Sequence, residues 1–204
     1  MSVVAHALYD KVLLPDGTEY KLGRFGRIID IATIPAYLPW GDQNYGYLIL
    51  KDGYIVAVIV NSGDAVCNVG MYLNEPVGYG TYQLTAKYAN AQNNMYLGWG
   101  FKDYSTQSDV IEVYHDGVQN KMFFYTVVGG SGTQTELTDL DFTVDRVLKF
   151  VWDASSVKLY VDGVLKATRN TSPAQYLYPM MNVRTTAASA ADTAIYGKDW
   201  VKLA

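Results

Sequence analysis

Along most of this chain, apolar and polar residues alternate with a period of two. Tyr82, Leu84, Ala86 and Tyr88 interleave with Thr81, Gln83, Thr85 and Lys87, and Met95, Leu97, Trp99 and Phe101 interleave with Tyr96, Gly98 and Gly100. Successive side chains of a strand point to opposite faces, so each run predicts a strand with one buried face and one wet face. Leu148, Phe150 and Trp152 continue the pattern. No stretch of twelve residues shows a helical period. The Ala-rich run Thr185 to Ala194 has the composition for a helical turn or two, yet carries no caps and no apolar stripe, so a loop fits it equally well.

Turn residues divide the alternating runs. Asp-Gly occurs at Asp16-Gly17, Asp52-Gly53, Asp116-Gly117 and Asp162-Gly163. A two-residue type I′ turn needs positive φ at both central positions, which Asp tolerates and Gly accepts freely, so each pair predicts a hairpin tip. The flanks, such as Tyr47 to Leu50 with Tyr54 to Val60 and Val157 to Val161 with Val164 to Thr168, are rich in Val, Ile, Tyr and Leu. Further loops are expected at Pro35 to Pro39, Asn90 to Asn94 and Gly129 to Gly132. Short strands at this spacing, with no repeat of solenoid or propeller period, point to an all-β, two-sheet antiparallel sandwich forming one domain over residues 1–204. Residues 1–34 are patterned more weakly and read either as an appended arm or as the first strands of the sandwich.

At 204 residues the chain is long enough to bury a core without metal or disulfide staples, and its single cysteine, Cys67, reads as a small buried hydrophobe. A net charge of −4 with no basic cluster argues against nucleic acid as a partner. The longest apolar stretches are too short to span a bilayer, so no membrane insertion is expected, and the N-terminus lacks the pattern of a signal peptide. A soluble cytoplasmic protein, a mature fragment and a virion or cell-surface protein would all look like this. With one cysteine and two histidines, His6 and His115, a zinc site or a Cys-His nucleophile is not expected. No serine sits in a Gly-x-Ser-x-Gly elbow, and Gly129 to Gly132 lacks the lysine of a phosphate loop. Asn170-Thr171-Ser172 is a formal glycosylation sequon without other signs of secretion. The 18 tyrosines suit sugar stacking, protein interfaces and ordinary strand packing alike; Tyr37, Trp40, Tyr45 and Tyr104, in turn-rich segments, are expected to cluster near one end of the sandwich.

The segment Glu75-Pro76-Val77-Gly78-Tyr79-Gly80-Thr81-Tyr82-Gln83-Leu84 resembles the strand opening of laminarinase-type glucanases and related lectin domains. Leu148 to Trp152 followed by Val157-Lys158-Leu159-Tyr160-Val161-Asp162-Gly163 is similar to the strand pair in which those domains place a Trp and then a Tyr-Val-Asp-Gly hairpin, and Asp199 to Leu203 resembles their closing strand. The matches run in order over residues 45 to 204. The resemblance, to the concanavalin-A-like superfamily that also holds laminin-G-like domains, implies a jelly roll with a carbohydrate site on its concave sheet and admits a structural calcium ion, though no acidic cluster names its ligands; no other cofactor is expected. In the hydrolases of that superfamily the site carries a Glu-x-Asp-x-Glu strand, because retaining hydrolysis needs two carboxylates about 5–5.5 Å apart. Here Glu112 matches the second glutamate, but Ser108 and Val110 stand at the other two positions, and Asp109 points to the opposite face. The resemblance therefore implies a binding module without the complete hydrolase motif.

Taking Asp116-Gly117 as a two-residue turn sets His115 opposite Val118, Tyr114 opposite Gln119 and Glu112 opposite Lys121. One face of the ribbon then carries Glu112, Tyr114, Gln119, Lys121, Phe123 and Tyr125, and the other carries Ile111, Val113, His115, Val118, Met122 and Phe124, with Asn120 as its exception. The second face belongs in the core. The first, with Tyr96 from the neighbouring strand, offers rings beside a carboxylate and an ammonium, which suits a sugar's apolar face and hydroxyls. The plainer alternative is an exposed Glu112–Lys121 cross-strand pair worth about 0.2–1 kcal/mol with tyrosines packed beside it. Three functions follow: a non-catalytic, lectin-like module binding a glycan; a structural or attachment protein of a virion or cell surface contacting another protein surface or its own copies as a homo-oligomer; or a divergent glycoside hydrolase. On the expected geometry, Glu112→Ala and Tyr114→Ala leave the melting temperature nearly unchanged.

Overall fold

A computed structural model describes residues 11–13, 19–21, 37–41, 46–59, 68–73, 75–103, 106, 108–186 and 192–203. Its strands are, in chain order, β1 (Lys11–Leu13), β2 (Glu19–Lys21), β3 (Tyr37–Gly41), β4 (Gly46–Lys51), β5 (Tyr54–Ile59), β6 (Asn68–Leu73), β7 (Gly80–Ala89) and β8 (Met95–Lys102). They continue with β9 (Val110–Asp116), β10 (Lys121–Val128), β11 (Ser131–Glu136), β12 (Arg146–Trp152), β13 (Val157–Val161), β14 (Val164–Arg169), β15 (Tyr178–Thr185) and β16 (Thr193–Lys202). Two seven-stranded antiparallel sheets form the body, one in the order β11-β10-β9-β8-β15-β6-β3 and the other β14-β13-β12-β7-β16-β5-β4. Strands β1 and β2, from the weakly patterned N-terminal region, make a separate two-stranded sheet. The molecule is the all-β sandwich expected from the alternation.

The two sheets meet through the apolar half of each alternating run. From the first sheet Leu97, Trp99, Phe101, Ile111, Val113 and Phe124 are buried, and from the second Leu84, Leu148, Phe150, Trp152 and Leu159. Phe101 sits edge-on to Phe150 with ring centroids 5.3 Å apart, and lies 5.1 Å from Tyr82. Trp99 Nε1 donates to the Tyr196 carbonyl at 2.9 Å, so the one polar atom that this inter-sheet ring buries is satisfied. Each such side chain contributes roughly 1.5–3 kcal/mol by leaving water. Because the core takes one parity of every strand, the opposite parity of β8 and β9 must face out of the sandwich.

Two Asp-Gly pairs turn as expected. Lys51 pairs with Tyr54 across Asp52 (φ 51°) and Gly53 (φ 79°), and Val161 pairs with Val164 across Asp162 (φ 52°) and Gly163 (φ 81°). Asp16-Gly17 lies outside the described residues, although β1 and β2 pair on either side of it. Asp116-Gly117 is a correction: Asp116 pairs with Lys121, so the loop is the four residues 117–120. Asp116 here acts as a loop cap, its Oδ1 accepting the Val118 and Gln119 amides at 2.9 and 3.2 Å and its Oδ2 accepting Gln119 Nε2 at 2.7 Å. Gly117 is needed for close approach: its amide donates to the Met95 carbonyl at 2.7 Å, and a Cβ would stand 2.1 Å from the Gln92 carbonyl oxygen. The left-handed residue of this loop is Asn120, at φ 53°.

Three loop expectations also shift. Tyr37 to Pro39 belong to β3, an edge strand in which a proline is tolerated, and Trp40 is on the same strand; Tyr45 and Tyr104 of the expected aromatic cluster lie outside the described residues, as does Cys67. Gly129 and Gly130 (φ 55° and 84°) form a two-residue turn, but Ser131 and Gly132 already belong to β11. Of the Ala-rich run, Thr185 ends β15 and Thr193 opens β16, with 187–191 outside the described residues.

Candidate functional site

The outward parity of β15, β8, β9 and β10 forms a grid fixed by the pairing register. Arg184 lies beside Tyr96 and Asp116; Asn182 beside Gly98, Tyr114 and Phe123; Met180 beside Gly100, Glu112 and Tyr125; and Tyr178 beside Lys102 and Val110. Tyr125 in turn pairs with Gln134 of β11. The two glycines at the centre leave the sheet bare, so larger neighbours stand around a depression. That groove has a volume of about 320 Å³ and is lined by Tyr96, Gly98, Lys102, Glu112, Tyr114, Tyr125, Gln134, Asn182 and Arg184.

Glu112 forms the floor. A Cβ at position 98 would stand 1.8 Å from Glu112 Oε1 and 3.1 Å from Asn182 Oδ1, so the carboxyl lies directly over Gly98, in space that any other residue there would claim. Taking the carboxyl out of water pushes its pKa up from an ordinary 4.5 to about 7, and the Lys102 ammonium only partly offsets this. Tyr114 is the wall. Its ring stacks on Phe123 at 5.5 Å, meets Tyr125 edge-on at 5.9 Å and lies 6.3 Å from Tyr96, while its hydroxyl donates to Gln134 Oε1 at 2.8 Å. Burial, and then the nearby charges of Asp116 and Glu112, push the Tyr114 phenol up to about 12, so it remains a hydrogen-bond donor at any physiological pH. Tyr125 leans over Gly132, where a Cβ would meet its hydroxyl at 2.5 Å. The Arg184 guanidinium lies 5.5 Å from the centre of the Tyr96 ring.

Of the residues read from the sequence as a ligand site, Glu112, Tyr114, Tyr125 and Tyr96 line this groove, and Gln119 and Lys121 do not. The four-residue loop moves the register by four, which preserves the faces but breaks the expected pairs: Glu112 lies opposite Tyr125 and Tyr114 opposite Phe123. Gln119 is held in the loop by Asp116, and Lys121 pairs with Glu136 at 2.7 Å. Lys121 borders a separate depression of about 420 Å³ with His115, Asn120 and Glu136, whose ammonium and carboxylate are already spent on each other. The expected Glu112–Lys121 pair is therefore absent. Val118, placed in the core by the expected register, is 65% exposed at the loop tip, whereas His115 is buried as expected. Among the described residues no three His, Cys, Asp or Glu side chains come close enough to hold a metal ion.

Lys102, Gln134, Asn182 and Arg184 were not read from the sequence. Lys102 was available, since it extends the parity of Tyr96, Gly98 and Gly100. Gln134 was hidden by reading the start of β11 as loop. Asn182 and Arg184 alternate visibly with Met181 and Val183, but nothing local shows that β15 inserts beside β8, some 80 residues earlier.

No family model matches the sequence, and no curated protein matches it. Solved structures do. A β-glucanase from Bacillus licheniformis superposes with a TM-score of 0.62 at 19% identity, over 80% of this chain and 90% of that one. A prokaryotic β-1,3-1,4-glucanase (lichenase) derived from a mouse hindgut metagenome gives 0.62 at 18%, over 82% and 94%. The carbohydrate-binding module CBM66 from Bacillus subtilis gives 0.55 at 12%, over 82% and 95%. The fold is the concanavalin-A-like jelly roll. On β9, the strand whose sequence was matched to the hydrolase motif, Val110 is buried and Glu112 is the one carboxyl in the groove lining. Asp109 accepts the Gly129 amide at 3.1 Å, away from it. Asp116 shares the Glu112 face but lies four residues along the strand, roughly 13 Å at Cα, with its carboxylate turned into the loop. No helix among the described residues is long and apolar enough to cross a membrane.

Proposed function

We propose that the groove over β8, β9, β10 and β15 binds a glycan chain without cleaving it. The observation that carries this reading is the combination lining one open depression: three tyrosine rings, two side-chain amides and a buried carboxyl whose pKa burial raises to about 7. Rings with polar tips can lie against the apolar face of a pyranose, while Gln134, Asn182 and Glu112 can exchange hydrogen bonds with its hydroxyls. The structural neighbours, glucanases and a carbohydrate-binding module, give the same fold a record of sugar chemistry and support the reading by analogy. Cleavage is set aside because two carboxylates must flank a glycosidic bond in the usual mechanism, and the groove lining contains one.

Affinity electrophoresis against a broad set of soluble polysaccharides tests the proposal. Retardation by at least one glycan, lost in Tyr125→Ala, is expected. Absence of retardation across the set contradicts binding. Release of reducing ends by the wild type that disappears in Glu112→Gln contradicts the non-catalytic part.

A further inference from the structure

We propose that the glycan taken by this groove is acidic, bearing carboxylate or sulfate groups that Lys102 and Arg184 engage. The inference rests on the glycan reading above and specifies its substrate class. Both cations line the groove, Lys102 at the end of β8 and Arg184 three grid rows away on β15. Elsewhere on the surface, cations near a carboxylate are neutralised: Asp145 holds Lys87 at 3.2 Å and Lys198 at 3.7 Å, Asp162 holds Arg146 at 2.9 Å, and Glu136 holds Lys121 at 2.7 Å. Neither Lys102 nor Arg184 is in an ion pair among the described residues.

The nearest acidic groups in the grid form no ion pair with either cation among the described residues. Asp116, nearest to Arg184 in the grid, gives its oxygens to the 117–120 loop. Glu112 beside Lys102 is driven toward its neutral form by burial. The groove lining thus carries two cations and a single carboxyl whose charge burial disfavours, a local positive charge on a chain with 20 acidic and 16 basic residues. Their placement is also suited to a chain ligand. Along the strands Lys102 and Arg184 are six residues apart in register, roughly 20 Å at Cα, which leaves room for several sugar rings between two anionic groups. Arg184 is oriented against the Tyr96 ring, so little side-chain freedom is lost when its fork meets an anion.

Binding of the whole chain to a polyuronate, a sulfated polysaccharide, a neutral β-glucan and dextran, measured at 150 mM salt, tests this. At least one acidic glycan is expected to bind tenfold or more tightly than either neutral one, and the better acidic ligand tells carboxylate from sulfate. Arg184→Gln and Lys102→Gln should each weaken it fivefold or more, whereas Lys158→Gln with Lys166→Gln, on the β13–β14 hairpin of the other sheet, should change it less than twofold. Equal affinity for neutral and acidic glycans overturns the acidic specificity and leaves the glycan groove standing. Equal losses in the groove and hairpin variants show diffuse polyanion attraction and overturn it too. Failure to bind either acidic glycan overturns the acidic class, and the glycan reading falls with it only if the broad polysaccharide set is not bound either.

Discussion

The Glu112 carboxyl occupies the volume that a side chain at position 98 would fill: Gly98 is a glycine because Glu112 lies on it, 1.8 Å from where a Cβ would be. The obstructing atom is the far end of a flexible side chain, so Gly98→Ala should fold, with the carboxyl pushed outward toward water. The expected result is a Glu112 pKa in Gly98→Ala moved from about 7 back toward 4.5, read by carbon-13 chemical-shift titration of the side-chain carboxyl. An unchanged titration would show that the carboxyl does not depend on this space.

The raised Glu112 pKa sets a pH dependence of stability. Below pH 4.5 the folded and unfolded chains both hold the proton; between 4.5 and about 7 only the folded chain does, so stability falls as pH rises through that window and then levels off. The full effect is at most ~3 kcal/mol. Urea denaturation at pH 4 and pH 8 should find Glu112→Gln close to the wild type at the lower pH and more stable by ~1–3 kcal/mol at the higher. Equal stability of the two at pH 8 would contradict a desolvated carboxyl.

Tyr114 bears more packing than its place on the wet parity suggests. It touches Phe123, Tyr125 and Tyr96 and donates to Gln134, so Tyr114→Ala should cost about 2–3 kcal/mol, while Tyr114→Phe, losing only an exposed hydrogen bond, should cost under about 1 kcal/mol. For Tyr114→Ala this differs from the nearly unchanged melting temperature expected from the sequence. Denaturant midpoints of the two Tyr114 variants decide it.

The Asp116 loop separates two uses of the same dipeptide. Asp116→Ala removes a buried carboxylate that accepts three hydrogen bonds and should cost about 2–3 kcal/mol, whereas Asp52→Ala, at an exposed two-residue turn, should cost about 1 kcal/mol through its positive φ. Comparable small losses at both positions would show that the 117–120 loop does not depend on its cap.

The sandwich was legible because parity is a local property. The inward set Leu97, Trp99, Phe101 and its outward partners Tyr96, Gly98, Gly100 could be assigned before any pairing was known, and the four-residue error at Asp116 left every strand residue of the ribbon on its expected face. The site was legible only in part, because membership in a groove depends on which strands are neighbours. Glu112, Tyr114 and Tyr125 come from one hairpin, and Tyr96 from the strand before it; Arg184 and Asn182 arrive on β15, whose position between β8 and β6 no local pattern encodes. Gln119 and Lys121 were misplaced by one turn type: Asp-Gly permits a type I′ turn, but Gly117 lies against Gln92 and Met95, which are outside the ribbon, and the loop there has four residues.

The proposed glycan site lies on one face of one sheet. The most direct measurement is a two-dimensional amide NMR titration with the tightest glycan found by electrophoresis. Binding in the groove is expected to shift resonances of Tyr96, Gly98, Gly100, Glu112, Tyr114, Tyr125, Asn182 and Arg184, and to leave those of β13 and β14 in place. Shifts confined to the outer face of the other sheet or to the loops at the sandwich ends would contradict it.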